Sequence, residues 1–530
     1  MTKKRNNQYW SNRSNELLAN IHEQSTPYIL EINKYYDKAL KDLQKDINHI
    51  FNTYQAGHGL SRAQAKRILN SKMPNFIRDI IKRVYPRLKD GKIKSWMLAE
   101  LNSQAYRARI TRLEALKKAI QIHYMSVADE QLTLSKMAYI NTIKESYYKV
   151  AYNLQKGINV GFYLAQIPEH TIKAVLNTNW SGKLYSERIW NNSQATVDAI
   201  AETLTSGFIS GKSIPRMVKE IEELTEYGKY AAERLIRTET TFFANQGSIQ
   251  SYRECDVEKY IFVATLDLRT SKECRSHDRK VYEVAKAMPG ENLPPLHVFC
   301  RSTTRAYLGE KYMQNIQRRA RDPVTGKTYL VGNMNYEEWY NKYVKGNTQA
   351  ELAEKKLINK AIDKKQHARY RELLGKDVPR SLDDFQNFKY TDGDRWEVFK
   401  DYAKARKEGH ISAFSKFEDY SKCKSDIENI LLGMKIENVG EIKSYSKHFV
   451  DRVLGASKDP KTNLPRSGVK VEDIKDSLLS PLKIKNEPQK KSCKIIGEMA
   501  TISINPETGN LIQCNPTDSD LVRRLKNVSD

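Results

Sequence analysis

The chain has 530 residues, with 89 Lys and Arg against 64 Asp and Glu for a formal net charge of +25, and it is 39% hydrophobic and 29% charged. That length suits about three or four domains and that apolar content suits ordinary cores, so a wholly disordered chain is excluded. Apolar stretches break well short of the ~20 residues of a spanning helix, no apolar segment follows the basic start Met1–Asn7, and six cysteines are too sparse for a disulfide framework.

No membrane anchor or secretion signal is therefore expected, and the cysteine usage fits synthesis in a reducing cytosol. The positive charge is spread along the chain, which favours polyanionic partners through counterion release. Nucleic acid stands first among these and an acidic protein second, beside the plainer reading of a merely basic soluble protein.

Residues 1–170 read as a mainly helical region. Ile29, Ile32, Tyr36, Leu40, Leu43, Ile47 and Ile50 recur at steps of three and four, as do Ile140, Ile143, Tyr147, Val150 and Leu154. Such stripes mark amphipathic helices that bury one face. Breaks are expected near Gly57 and Gly59, at Gly91, from Gly157 to Gly161 and from Gly207 to Gly211.

Residues 171–308 read as a small α+β block. A helix to Leu204 is followed by another from about Tyr230 to Tyr252, on which Leu235, Glu239, Phe242, Gln246 and Ile249 share a face. Glu239 interrupts that apolar stripe, so a cationic partner is expected. Tyr260–Ala264 reads as a strand, leading to Asp267-x-Arg269-Thr270 and a loop rich in Cys, His and Pro.

Residues 309–430 read as a basic helical connector with a turn at Asp322–Lys327. Its stretch from Lys355 to Arg371 either faces water or faces nucleic acid. Residues 431–530 read as a small α+β domain: helices around Ser446–Leu454 and Val471–Leu479, then a hairpin that turns at Pro506–Gly509.

The central block holds Cys274-x-x-His277 and His297-x-x-Cys300. Two thiolates and two imidazoles in paired spacing could complete a tetrahedral structural zinc site; the alternative is two buried thiols beside a solvent-facing histidine. No cofactor is required by any other motif. There is no G-x-x-x-x-G-K-[ST] of a packaging ATPase, no H-E-x-x-H and no G-x-S-x-G.

Arg234-Leu235-Ile236-Arg237-Thr238-Glu239, Asp267-x-Arg269-Thr270 leading to Cys274, and Pro294-Pro295-Leu296-His297-x-x-Cys300-Arg301 together resemble the phage head-morphogenesis family of Mu F-like minor head proteins. Trp180-Ser181-Gly182 to Trp190 upstream and Tyr336–Tyr340 downstream resemble the same group, over about residues 170–345. The family commonly carries a Cys where Ser271 and Ser302 stand here, and His277 could replace a lost ligand. The resemblance implies a virion component at the portal and inner capsid, assembled in the bacterial cytoplasm. It also implies portal and capsid proteins as partners and a role in head assembly, DNA packaging or ejection. Arg237, Glu239 and Arg269 are expected to form a structural network tying helix to strand block, because a buried carboxylate needs a cation.

The last domain resembles phage-borne nuclease-like modules of the barnase, EndoU, colicin and RelE type, through Ser446-Lys447-His448 with Arg452, Gly468-Val469, Gly509–Ile512 and Pro516-Thr517-x-Ser519. His448 and Arg452 lie one helical turn apart and can face one cleft. A near-neutral histidine suits proton transfer and a guanidinium suits phosphate. Lys494 adds charge, while Thr517 and Ser519 offer hydroxyls; the plainer alternative is that His448 and Arg452 decorate a helix surface. The expected whole is a minor head protein whose basic surface contacts packaged double-stranded DNA without sequence preference, with RNA as a further ligand of the last domain. The alternative is a virion-carried effector that cleaves RNA by metal-independent acid/base chemistry, the rest of the chain being its carrier.

Overall fold

The computed structural model describes residues 8–50, 63, 67, 69–73, 75–102, 111–158, 166–210, 212–309, 317–412, 415–455 and 466–527. The expected breaks at Gly57, Gly59 and Gly211, and most of that at Gly157–Gly161, lie outside them. The chain divides into two compact units, Met1–Ala350 and Glu351–Asp530. Among the described residues no helix is long and apolar enough to cross a membrane.

Four long helices dominate the first unit: α1 (Gln8–Ile50), α4 (Arg112–Ile158), α6 (Tyr185–Ile209) and α7 (Ile214–Glu254). Shorter α2 (Phe76–Val84), α3 (Gly91–Asn102) and α5 (Glu169–Leu176) pack around them. The stripe on α1 buries Ile29, Ile32, Tyr36, Leu43, Ile47 and Ile50 in one core with Ile120, Ile200, Met217 and Ile236 of the other long helices. On α4, Ile143 and Tyr147 pack with Phe242 and Phe243 of α7. A Cβ at Gly247 would come within 2.7 Å of the Ile143 carbonyl oxygen, so glycine there lets α4 and α7 approach backbone to backbone.

Past α7 the chain forms an antiparallel sheet of order β2-β1-β3, from β1 (Lys259–Val263), β2 (Val281–Glu283) and β3 (Thr303–Ala306), with the short helix α8 (Lys272–His277) between β1 and β2. Tyr260 pairs with Tyr282 on one side and Ala306 on the other. The turn expected at Asp322–Lys327 closes a hairpin of β4 (Arg318–Arg321) and β5 (Thr328–Val331). Asp322 Oδ1 accepts the Val324 and Thr325 amides there.

Helix α9 (Tyr336–Tyr343) follows, capped by Asn335 and Glu338 in a reciprocal box. Its Tyr336 and Trp339 share a small core with Leu266, Ala320 and Val331. The stretch from 309 expected as connector therefore begins as part of the first unit, because this hairpin and helix have an apolar face to bury there.

Its tightest tie is an ion pair. Arg318 reaches both carboxylate oxygens of Asp278 at 2.8 and 2.9 Å and also donates to the Ala264 and Met334 carbonyls. Asp278 in turn accepts the Ala264 and Tyr336 amides. Every lone pair of this buried pair thus finds a donor.

The second unit opens with α10 (Thr348–Leu374), which begins just before the division. It continues through α11 (Leu382–Thr391), α12 (Gly393–Lys407) and α13 (Phe417–Ile430). Trp396, Phe399 and Phe417 meet edge-to-face and stacked at 5.1–5.5 Å. The short strands β6 (Lys435–Ile436), β7 (Gly440–Glu441) and β8 (Ser444–Tyr445) lead to α14 (Lys447–Leu454) and α15 (Val471–Leu479).

β9 (Lys483–Glu487), β10 (Ser492–Ile496), β11 (Ala500–Asn505) and β12 (Asn510–Pro516) follow, and then α16 (Ser519–Lys526). The sheet order is β8-β12-β11-β10-β9. Cys493, Ile495, Ile502 and Cys514 face Phe449, Val453, Ile474 and Leu478 of the helices in one core. The layout is thus helical N-terminally, with small sheets in the central and C-terminal parts.

Candidate functional site

The loop after β1 and the loop before β3 converge on three ligand-type atoms. Cys274 Sγ lies 3.2 Å from His297 Nε2 and 3.6 Å from Cys300 Sγ, and the three lie within 4.8 Å of one another. Two thiolates around one zinc at Zn–S of about 2.3 Å stand about 3.8 Å apart in a tetrahedron, so this spacing fits. His297 Nδ1 bonds the Val298 carbonyl at 2.8 Å, which places the ring proton there and aims the Nε2 lone pair at the sulfurs. Cys300 is held well below the usual thiol range, first by the hydrogen bond from Cys274; Cys274 is pushed up for the reciprocal reason.

His277 is not part of this group. Its Nδ1 bonds the Tyr282 hydroxyl at 2.7 Å and its ring packs on Phe262. Cys274 and His277 are three residues apart on the six-residue α8, but Cys274 is buried toward the other thiol while the Tyr282 hydroxyl and the Phe262 ring hold the His277 imidazole at the last helical position. The set of four expected from sequence is a set of three, with the Ser271 hydroxyl accepting the Cys274 amide beside it.

The expected network of Arg237, Glu239 and Arg269 does not form. Glu239 accepts the Trp180 indole N–H at 3.1 Å, and burial pushes its carboxyl up to about 7. Burial without a bonded cation is what raises it, and the Trp180 hydrogen bond and the more distant Arg188 charge offset this only in part. Arg237 instead donates to the His22 carbonyl at 2.5 Å and to Ser25 and Thr26 of α1. Arg269 stands 4.0 Å from Asp267 and is half exposed.

Asp267 organises the loop. Its carboxylate accepts the Arg269 amide and the Thr270 hydroxyl, and takes both ends of the Arg301 guanidinium. Burial alone would raise this carboxyl, but Arg301 outweighs it and holds it below the usual range. The Asp-x-Arg-Thr spacing is thereby explained: an Asx turn that also seats an arginine.

His22 joins the same region from α1. Its Nε2 lies 3.0 Å from the Thr241 hydroxyl, which donates to the Cys300 carbonyl at 2.6 Å. Burial, then Arg237 and Arg301, lower His22 to about 4, so it stays neutral. Beside these groups opens a cleft of about 810 Å³, lined by His297, Ser271, Phe299 and several arginines. Sequence reasoning missed His22, Phe299, Arg319 and Arg321 as neighbours of this site. Phe299 and Arg301, which flank Cys300, carried a local signal, whereas His22, Arg319 and Arg321 are distant in sequence.

In the second unit Arg452 Nε donates to His448 Nε2 at 3.2 Å, so the expected pair does meet on α14. Lys494 alternates with the buried Cys493 and Ile495 on β10 and points to the sheet face away from the helices. The Thr517 hydroxyl meets Thr501 at 2.9 Å, and Ser519 is exposed at the start of α16. Among the described residues no hydrogen bond joins Lys494, Thr517 or Ser519 to His448 or Arg452.

The match to a family model falls on the first unit. Residues 198–305 match the family model described as Phage Mu protein F like protein. That span takes in the second half of α6, all of α7, and β1, β2 and β3 up to Arg305, with the Cys and His ligands between them. The match supports the phage head-morphogenesis family for this Mu F-like segment.

A curated relative, NAD(+)--arginine ADP-ribosyltransferase EFV of Enterococcus faecalis, is 26% identical over 174 residues. That covers 30% of this chain and 36% of the relative, so the chain spans little more than a third of it. No solved structure matches.

Proposed function

We propose that this chain is a phage minor head protein that sits at the portal and inner capsid, contacts packaged DNA and acts in head assembly, packaging or ejection. The observation that carries it is the Mu F-like match to residues 198–305, which covers the α7 helix and the ligand-bearing sheet as one structural piece. The net charge of +25 supports contact with genome phosphates without sequence preference. Cys274, His297 and Cys300 would hold a structural zinc that pins the loop before β3 to α8, with the fourth position left to a hydroxyl or water. The test is co-expression of the full chain with the portal protein of the same phage. Copurification at a defined ratio is expected, and separate elution at low salt would overturn the portal assignment.

A second reading is favoured by the division of the chain into two units, with the Mu F-like segment confined to the first. In it the first unit is a carrier and the second an effector that cleaves RNA without metal. His448 would move the proton and Arg452 would bind phosphate. The Arg452 bond to Nε2 must open for that histidine to act as a base, and substrate phosphate is the competing partner that would draw the guanidinium away.

A further inference from the structure

The cleft beside the Cys and His ligands has a predominantly positive lining. Arg237, Arg269, Arg301, Arg319 and Arg321 contribute to its wall, against Glu233. Two of these are fixed as struts: Arg301 by the buried Asp267, and Arg237 by the α1 carbonyl and hydroxyls. Arg269 is less committed, half exposed with Asp267 only at 4.0 Å, and Arg321 is exposed at the end of β4. Burial first, then Arg301 and Arg321 against the opposing Asp267 charge, make the Arg269 charge costlier, and an incoming anion would offset these costs. A volume of about 810 Å³ is of the size that takes a nucleotide-scale ligand.

One aromatic ring lines the same cleft and a second stands against it. Phe299 lines it with a backbone φ of +57°, a left-handed conformation that a bulky side chain rarely adopts, and the Thr238 hydroxyl holds its amide at 3.0 Å. Its ring lies 5.9 Å from Tyr230. Tyr230 and Tyr227 are 51% and 64% exposed, three residues apart on α7, and the stripe they begin continues to Arg234 and Arg237. Guanidinium groups that meet phosphate, set beside exposed rings that offer a stacking face, make the chemistry of a single-stranded nucleic-acid groove.

We infer that this cleft binds a single nucleic-acid strand, with Arg269 and Arg321 on successive phosphates and Tyr230 with Phe299 under a base. The inference rests on the nucleic-acid-contacting reading above and adds to it a separate site for a single strand, beside the general contact with duplex phosphates. A duplex is disfavoured because its bases are stacked inward and would leave the rings without a partner.

The test is fluorescence anisotropy of the full chain with a labelled oligodeoxythymidylate of about 12 nucleotides, at salt between about 50 and 200 mM. The paired change Arg269→Ala with Arg321→Ala is expected to weaken binding about tenfold and to lower the salt slope by about two. Tyr230→Ala is expected to weaken it about fivefold while leaving competition by tripolyphosphate unchanged. Lys364→Ala with Lys365→Ala, on α10 of the other unit, should stay within about twofold of the parent.

Parent-like binding by the cleft variants would overturn the cleft and leave general nucleic-acid contact standing. No binding by the unaltered chain at low salt would overturn both. Tighter binding of duplex than of single strand through the same arginines, or indifference to Tyr230→Ala, would overturn the strand assignment.

Discussion

Trp180 donates its indole N–H to Glu239 Oε2 at 3.1 Å, across the interface between the segment before α6 and the middle of α7. The two rings Trp180 and Phe242 stack at 5.5 Å directly beside this bond. A carboxyl is thus held in an aromatic pocket by a neutral donor, and its chemistry follows from that setting. Burial raises its pKa to about 7 from an ordinary carboxyl value.

The sign of the stability effect follows. Between about pH 4.5 and 7 the unfolded chain ionises Glu239 before the folded chain does, so this group makes stability fall as pH rises, by up to roughly 3 kcal/mol in all. His22, lowered to about 4, works in the opposite sense, its contribution being lost as pH falls below about 6.5. Glu239→Gln is therefore expected to gain on the parent steadily from pH 5 to pH 8 in denaturant unfolding. Parallel curves across that range would contradict the buried, proton-bearing carboxyl.

Zinc binding can be read by metal analysis of the purified chain. About one zinc per chain is expected, lost in Cys300→Ser and in His297→Ala, and kept in His277→Ala, whose imidazole bonds Tyr282 instead. Equal loss in the His277 variant would restore the four-ligand set expected from sequence.

The Arg318–Asp278 pair is buried with both partners satisfied, so removing one leaves an uncompensated charge. Asp278→Ala should destabilise the first unit by about 3–5 kcal/mol, and Arg318→Met alone by a similar amount. The double change to apolar residues should recover part of that loss. Additive losses in a double-mutant cycle would show that the two side chains are not coupled.

Cleavage of labelled RNA by the full chain with EDTA present separates the two functional readings. The effector reading expects activity lost in His448→Ala, and reduced in Arg452→Ala through KM because phosphate loses its guanidinium. A folded chain with no cleavage leaves the second unit as a binding module.

The helices were largely legible because their burial is periodic: Ile29 to Ile50 and Ile143 to Leu154 follow the expected steps. The C-terminal hairpin was legible from alternation and its Pro506–Gly509 turn. What escaped depended on partners distant in sequence. Asp278 and Arg318 are forty residues apart with nothing local to mark them, and the β4–β5 hairpin hid in a run of basic residues. Glu239 was recognised as buried, but charge alone suggested a cation where the fold supplies Trp180 and a proton. The fold brings Cys274, His297 and Cys300 together, but the three-residue spacing of Cys274 and His277 gave no sign that Tyr282 and Phe262 would take the imidazole.

On the head-protein reading, the most direct measurement is quantitative mass spectrometry of purified, DNA-filled particles of a phage carrying this gene, with cross-linking to locate the chain. A few copies per particle, cross-linked to portal through residues of the first unit, are the expected result. A chain present in the lysate but absent from filled and empty particles alike would contradict its assignment as a head protein.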